Sequence, residues 1–207
     1  MAKQLAFHVD SSVCTKCKAC QIACKDKNDL PIGVLWRRVY QYGGGGWVKS
    51  GNMLVPSNIF AYSISLSCNH CENPACMDVC PTMAISKDEN GVVKIDQKKC
   101  IGCRYCEWAC PYGAPQFNEE QGYMTKCNFC EDLIAKGENP VCVDACPMRA
   151  IHYGELKDLQ AQYGTQNEFE PLPTSEITHP SLVVTPHKHA QVSGKGTGSI
   201  LNMPEEI

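Results

Sequence analysis

The chain has 207 residues, 16 of them cysteine, a hydrophobic fraction of 43% and a formal net charge of −3. That length allows one large domain or two small ones packed together, and the weakly acidic charge gives no electrostatic footprint for nucleic acid. No stretch reaches the roughly eighteen apolar residues that span a bilayer; the longest candidates, 58–66 and 182–184, are short. Residues 1–10 lack a signal-peptide apolar region and a twin arginine, so a soluble chain without its own export address is expected.

Residues 4–10 read as a strand leading into the first cysteine group, Cys14, Cys17, Cys20 and Cys24. Lys25 stands where Pro follows the last cysteine of the other groups, so this helix is expected to run on through Asp26, Lys27 and Asn28. Residues 34–42 and 57–67 are rich in β-formers. The four glycines at 43–46 read as a flexible linker between strands, with close approach of a partner's backbone as the competing reading. The second group is Cys68, Cys71, Cys76 and Cys80, followed by Pro81. Strands at 84–87 and 92–96 flank Asp88-Glu89-Asn90-Gly91, a hairpin signal.

The third group is Cys100, Cys103, Cys106 and Cys110, followed by Pro111. The fourth, Cys127, Cys130, Cys142 and Cys146, precedes Pro147 and opens with a helix expected over 127–136 that ends at Gly137. A strand at 150–153 and a helix at 155–163, capped by Gly164, follow. Beyond Gly164 the composition turns to Pro, Thr, Ser and Gly. So long a stretch without elements is uncommon in a compact domain. It reads as a disordered tail or as one ordered along a partner.

Disulfides, zinc and iron–sulfur clusters are the chemistries that use many cysteines. Disulfide scaffolds are typically short and secreted. Zinc takes tetrahedral sets, typically from two separated Cys-x2-Cys pairs. The spacing selects iron. Groups one and three have the Cys-x2-Cys-x2-Cys-x3-Cys run of bacterial ferredoxins, and groups two and four are variants with four and eleven residues at one gap. Three thiols so spaced wrap one cube, and the short helix that follows aims the fourth at a neighbouring cube. Strand, cysteine loop, short helix and strand, repeated, predicts an α+β fold of two intertwined ferredoxin-like domains, each holding two [4Fe-4S] clusters. Metal binding would add folding energy to these small cores.

An oxidised four-iron cube with four thiolates carries about −2, and four of them about −8. Burying that charge uncompensated is costly. Lys16, Lys18, Lys25, Arg104, Lys126 and Arg149 flank the cysteines and are the candidate counter-charges; the plainer reading makes them solvated surface groups.

The sharpest motif is Cys100-Ile101-Gly102-Cys103-Arg104-Tyr105-Cys106, running into Ala109-Cys110-Pro111-Tyr112-Gly113-Ala114-Pro115-Gln116. Ala23-Cys24-Lys25-Asp26, Cys68-Asn69-His70-Cys71-Glu72, Pro171-Leu172-Pro173 and Asn202-Met203-Pro204 accompany it. With these stretches the chain resembles the iron–sulfur subunit of the anaerobic dimethyl sulfoxide reductase family of molybdenum oxidoreductases. The resemblance implies that groups one and four share one pair of cubes and groups two and three another. By it, Cys14, Cys17, Cys20 and Cys146 hold one cluster, and Cys127, Cys130, Cys142 and Cys24 its neighbour. Cys68, Cys71, Cys76 and Cys110 hold the third, and Cys100, Cys103, Cys106 and Cys80 the fourth. Nitrate-type relatives have Trp at position 103 and a three-iron cluster, so Cys103 implies four four-iron clusters here. The domains implied are 1–54 with 123–164, then 55–122, then a partner-binding tail over 165–207.

The resemblance further implies a heterotrimer at the bacterial cytoplasmic membrane. An integral anchor oxidises menaquinol, this chain conducts, and a molybdopterin subunit reduces dimethyl sulfoxide and related S- and N-oxides. Selenate or another oxyanion is the alternative acceptor. The membrane face stays open, and export would depend on a twin-arginine signal of the catalytic partner. The competing classes are a self-standing enzyme, for which no G-x-G-x-x-G fingerprint appears, and a structural or sensing protein, for which four clusters are excessive. His70, between two cysteines, is read as a packing or hydrogen-bonding residue and not as a Rieske-type ligand. His179, His187 and His189 read as surface residues of a polar tail. Tyr105, Trp108 and Tyr112 are read as packing, with shielding or electron flow as the functional alternative.

Overall fold

The computed structural model describes residues 3–203; Pro204, in the last of the resembling stretches, and the rest of 204–207 lie outside them. The fold is α+β. Strand β1 (Leu5–Asp10) is buried on both faces because it is the middle strand of a three-stranded sheet. On one side it pairs antiparallel with β8 (Ile151–Glu155), Val9 opposite Ile151. On the other it pairs in parallel with β9 (Leu182–Thr185), Phe7 opposite Leu182. Helix α1 (Ala19–Lys27) follows the first cysteine loop, and a long hairpin of β2 (Arg38–Ser50) and β3 (Met53–Leu66) follows α1.

Helix α2 (Ala75–Asp78) leads to the hairpin of β4 (Ile85–Lys87) and β5 (Val93–Ile95), with the turn at the Asn90-Gly91 signal. Helix α3 (Tyr105–Ala109) precedes the hairpin of β6 (Gln116–Asn118) and β7 (Tyr123–Thr125), which no strand signal announced. Then come α4 (Glu131–Ile134), α5 (Val141–Asp144), β8 and α6 (Leu156–Tyr163). After a 3-10 turn at Ser175–Ile177 come β9 and the two-residue β10 (Ser199–Ile200), which pairs with β2. Helix α1 packs on α5, and α2 on α3. The helices of cysteine groups one and four therefore meet, as do those of groups two and three.

Three expectations change. The glycines at 43–46 are not a linker but lie within β2, paired with β3 across a register shift between Gly44 and Gly46. A Cβ on Gly44 would stand 2.9 Å from both the Gly198 Cα and the Phe60 ring, so the close approach is by this chain's own C-terminal segment. The helix over 127–136 shrinks to α4, because Phe129 and Cys130 take φ of 64 and 51°, a left-handed conformation that no helix continues.

The third change concerns the tail. The described part of 165–207 is ordered on this chain. Leu182, Val183 and Val184 are buried, and Phe169 and Leu172 join the main core with Phe7, Tyr62 and Ile64. Fully burying a Val contributes about 1.5–3 kcal/mol, and Val183, at 0% exposure, packs on Ala6 and Leu159. We expect Val183→Ala to cost about 2 kcal/mol through lost burial and the cavity left. The loss should appear in denaturant unfolding of the isolated chain; an unchanged midpoint there would mean that β9 is ordered only on a partner.

Candidate iron–sulfur sites

The residue before the second cysteine is left-handed in all four groups: Lys16 at φ 59°, His70 at 43°, Gly102 at 68° and Phe129 at 64°. This kink lets successive thiols turn to one side of the loop. Only Gly102 has the residue type that announces it, and a Cβ there would also meet the Gly122 carbonyl at 2.5 Å. Lys18 and Arg104, each following a second cysteine, are left-handed as well and cap α1 and α3.

The Cys-Pro steps repeat a second device. In each, the third residue after the cysteine is left-handed: Met83, Gly113 and Arg149. Its N–H bonds the cysteine carbonyl at 3.0–3.2 Å, closing a turn with Pro at its first corner. The next N–H then points at the thiol sulfur. Ala84 N donates to Cys80 Sγ at 3.3 Å, Ala114 N to Cys110 Sγ at 3.5 Å and Ala150 N to Cys146 Sγ at 3.3 Å. Group one lacks the Pro, and α1 runs to Lys27 as expected. There the side chain of Asn28, again four residues on, donates Nδ2–H to Cys24 Sγ at 3.7 Å. Further contacts reach Cys100 Sγ from Met124 N (3.4 Å), Cys127 Sγ from Phe129 N (3.4 Å) and Cys20 Sγ from the Ser65 hydroxyl (3.3 Å).

Thiols that lie far apart in the sequence come near one another in the fold. Burial pushes the Cys14 thiol up, and repulsion from Cys20, Cys146 and Cys17 adds to it. Burial raises Cys24 far above the ordinary thiol value, and its neighbours are Cys127, Cys142 and Cys130. Burial likewise lifts Cys76, beside Cys68, Cys110 and Cys71, and brings Cys71 itself to about 12. Cys106 is pushed up to about 11 by burial, with Cys100, Cys103 and Cys80 adjoining. Such thiols stay protonated at neutral pH by themselves, whereas coordination to a metal deprotonates a thiol outright. Cavities open between Cys14, Cys17, Cys20 and Cys146, and between Cys68, Cys71, Cys76 and Cys110, each otherwise lined mainly by apolar residues. Four converging thiols, with N–H donors aimed at sulfur, fit a thiolate-held cubane.

Two family models describe the same stretches: residues 59–156 match a 4Fe-4S dicluster domain and residues 11–29 a 4Fe-4S binding domain. The chain is 47% identical over 207 residues, the full length of both proteins, to the probable anaerobic dimethyl sulfoxide reductase subunit YnfG of Escherichia coli. It is 48% identical over 205 residues, 99% of its own length and 100% of the relative, to the B subunit of anaerobic dimethyl sulfoxide reductase of Haemophilus influenzae. This protein belongs to the family of anaerobic dimethyl sulfoxide reductase B subunits, the iron–sulfur electron-transfer subunits. The thiosulfate reductase electron transfer subunit PhsB of Salmonella typhi is a more distant relative, 38% identical over 163 residues, 78% of this protein and 81% of the relative.

The expected counter-charges fare differently in this family member. Lys126 is buried, donating to the carbonyls of Val93 and Cys127, and its charge opposes the burial that lifts the Cys76 thiol. Lys16 bonds Gln41 Oε1 at 2.7 Å, and Lys25 bonds the carbonyls of Leu30 and Pro31. Arg104 pairs with Glu107 at 2.7 Å, and Arg149 reaches the Asp144 carbonyl at 3.3 Å. The cation that matters most was missed. Arg37 is 1% exposed, with its guanidinium 4.7 Å over the Phe7 ring and donating to the hydroxyls of Ser65 (3.0 Å) and Ser67 (2.9 Å). Among the described residues no carboxylate pairs with it. Burial works against its charge, and the sulfurs of Cys142, Cys20, Cys127 and Cys24 lie around it and favour the charge. It thus stands between the first and second sets. Its only sequence signal is a second arginine beside Arg38 in a β-rich run. Removing one partner of a buried charge pair costs about 3–5 kcal/mol. We expect Arg37→Gln to hasten loss of iron–sulfur absorbance in anaerobic denaturant, with Arg37→Lys between it and wild type; equal rates for all three would separate Arg37 from the clusters.

Proposed function

We propose that this chain holds four [4Fe-4S] clusters and is the electron conduit of a membrane-associated anaerobic reductase. The proposed ligand sets are Cys14, Cys17, Cys20 and Cys146; Cys24, Cys127, Cys130 and Cys142; Cys68, Cys71, Cys76 and Cys110; and Cys80, Cys100, Cys103 and Cys106. The reading is supported by sixteen cysteines in four groups at ferredoxin spacings, and by two cavities that are each lined by four of them, one by Cys14, Cys17, Cys20 and Cys146 and one by Cys68, Cys71, Cys76 and Cys110. When bound, each cluster takes up and releases a single electron. The chain's own groups do the rest. The thiols hold the cages, and backbone N–H groups stabilise negative charge on sulfur. Arg37 and Lys126 offset buried anionic charge. The apolar linings exclude water.

The sets differ in exposure, which supports a role in passing charge to the surface. Cys24, Cys127, Cys130 and Cys142 are all buried, whereas Cys80, Cys100 and Cys103 are only partly so. Beside the latter, Ile101, Tyr105 and Trp108 stand open to solvent, Trp108 at 72%. Scattered apolar side chains at a surface are ordinary; these adjoin a thiol set with three partly exposed members and offer a face for a redox partner. By family, the proposed partners are a molybdopterin catalytic subunit reducing dimethyl sulfoxide and related S- and N-oxides, and an integral membrane anchor oxidising menaquinol. The complex is proposed to be a heterotrimer on the bacterial cytoplasmic membrane. No helix of the described residues is long and apolar enough to cross a membrane.

Anaerobically prepared protein should contain about sixteen iron and about sixteen inorganic sulfide per polypeptide; stoichiometric zinc with little sulfide would overturn the reading. Cys103→Ser should convert one cluster alone to a three-iron form, seen by electron paramagnetic resonance, and slow quinol-driven turnover of the complex. Artificial donors that reach the catalytic subunit should still support turnover. A full four-cluster spectrum from Cys103→Ser would remove Cys103 from the ligands.

A further inference from the structure

Five buried side-chain polar atoms of the described residues have no hydrogen-bond partner: Asn69 Nδ2, His70 Nε2, Tyr112 Oη, Thr178 Oγ1 and Ser193 Oγ. Four of these five belong to residues that line one cavity, the one enclosed by Cys68, Cys71, Cys76 and Cys110. Leaving such an atom unpaired costs about 1–3 kcal/mol, so four in one place call for a common acceptor. The cavity at Cys14, Cys17, Cys20 and Cys146 is lined by none of them.

Chemistry fixes what the acceptor must be. His70 Nδ1 accepts the Val93 N–H at 3.0 Å. That nitrogen is therefore bare, and the ring proton sits on Nε2 as a donor without a protein acceptor. Asn69 Nδ2 is a donor, and the hydroxyls of Tyr112 and Thr178 each have a proton to give. The Thr178 hydroxyl lies near both the Tyr112 hydroxyl and the Cys71 thiol. The buried Lys126 ammonium lines the same cavity. Convergent donors beside a cation suit an anionic, acceptor-only group.

The C-terminal segment is fastened so as to deliver Thr178. Asn73 N donates to the Thr178 carbonyl at 3.1 Å and Glu72 N to the His179 carbonyl at 2.8 Å. Ser181 returns two bonds, its N–H to the Asn69 carbonyl at 3.1 Å and its hydroxyl to the His70 carbonyl at 3.0 Å. Residues 178–181 therefore close over the loop that carries Cys68 and Cys71.

We infer that Asn69, His70, Tyr112 and Thr178 form a hydrogen-bond shell around the sulfur atoms of the third cluster, with the C-terminal segment as part of its cage. The inference rests on the proposed ligand set of Cys68, Cys71, Cys76 and Cys110. Hydrogen bonds to sulfur stabilise the more negative, reduced state and so raise the cluster's potential. The shell thereby sets this cluster apart from the one at Cys14, Cys17, Cys20 and Cys146, whose cavity none of the orphaned atoms line.

The test uses the assembled complex with Thr178→Val and Tyr112→Phe, each of which removes one hydroxyl and nearly keeps its shape. Potentiometric titration followed by electron paramagnetic resonance should show one midpoint lowered by each variant and lowered further by the pair. The other three midpoints and the iron content should stay at wild type. Cys76→Ser, run alongside, should alter the signal of that same cluster. Unchanged midpoints in both hydroxyl variants, or a uniform shift of all four, would overturn the shell. A Cys76→Ser protein with four unaltered clusters would overturn the ligand set beneath it. Should either hydroxyl variant lose iron, wild-type protein exchanged into deuterium oxide decides. Exchangeable hydrogen couplings to the third cluster beyond that of the Ala114 N–H support the shell, and none beyond it refutes the shell.

Discussion

Everything in this fold answers to the burial of anionic sulfur in a polypeptide too small to hide it cheaply. Thiols that burial lifts to about 11 or 12 are hostile to charge, and an isolated charge in such surroundings is costly. The structure meets that cost with three kinds of partner. Backbone N–H groups are turned onto sulfur by a repeated left-handed step after each Cys-Pro. Two buried cations, Arg37 and Lys126, stand beside the thiol sets. Neutral hydroxyls and amides complete the surroundings.

Aromatic packing ties the cysteine groups to one another. Arg37 lies over one face of Phe7, Phe7 stacks on Phe129 at 4.3 Å, and Phe129 meets the edge of His70 at 5.3 Å. This column runs from the cation between the first two thiol sets to the cavity of the third. Phe129 and His70 are also the left-handed residues that shape their own cysteine loops. Packing between the cysteine loops and orientation of the thiols are therefore one constraint.

The C-terminal segment extends this economy. Its strand completes the sheet on β1, its Thr178–Ser181 stretch closes over the second cysteine loop, and Asn202 bonds the backbone of Val39 and Gln41 in β2. What composition marks as loose is held by main-chain hydrogen bonds, which composition does not encode. The distal β2–β3 ribbon is the reverse case. Strong β-formers build it, yet Trp47, Met53 and Leu54 remain exposed on it.

The sequence alone determined the chemistry. Sixteen cysteines at ferredoxin spacings select iron, because spacing dictates how many thiols one loop can present to a cube. It also determined β1, the Asn90-Gly91 hairpin, the short helices after each cysteine loop and the longer run of α1, since Pro and Gly act locally. Tertiary structure decided the rest. Left-handed φ at Lys16, His70 and Phe129 is imposed by the loop and not by residue type, so no local signal shows it. The glycines at 43–46 became strand because residues 198–201 come from far along the sequence to lie against them. Arg37 looked like any surface cation, and only the folded protein places it among thiols of two groups more than a hundred residues apart. The orphaned donors at the third set follow the same logic. An unsatisfied atom exists only where burial and geometry together deny it a partner, and both are properties of the packed structure.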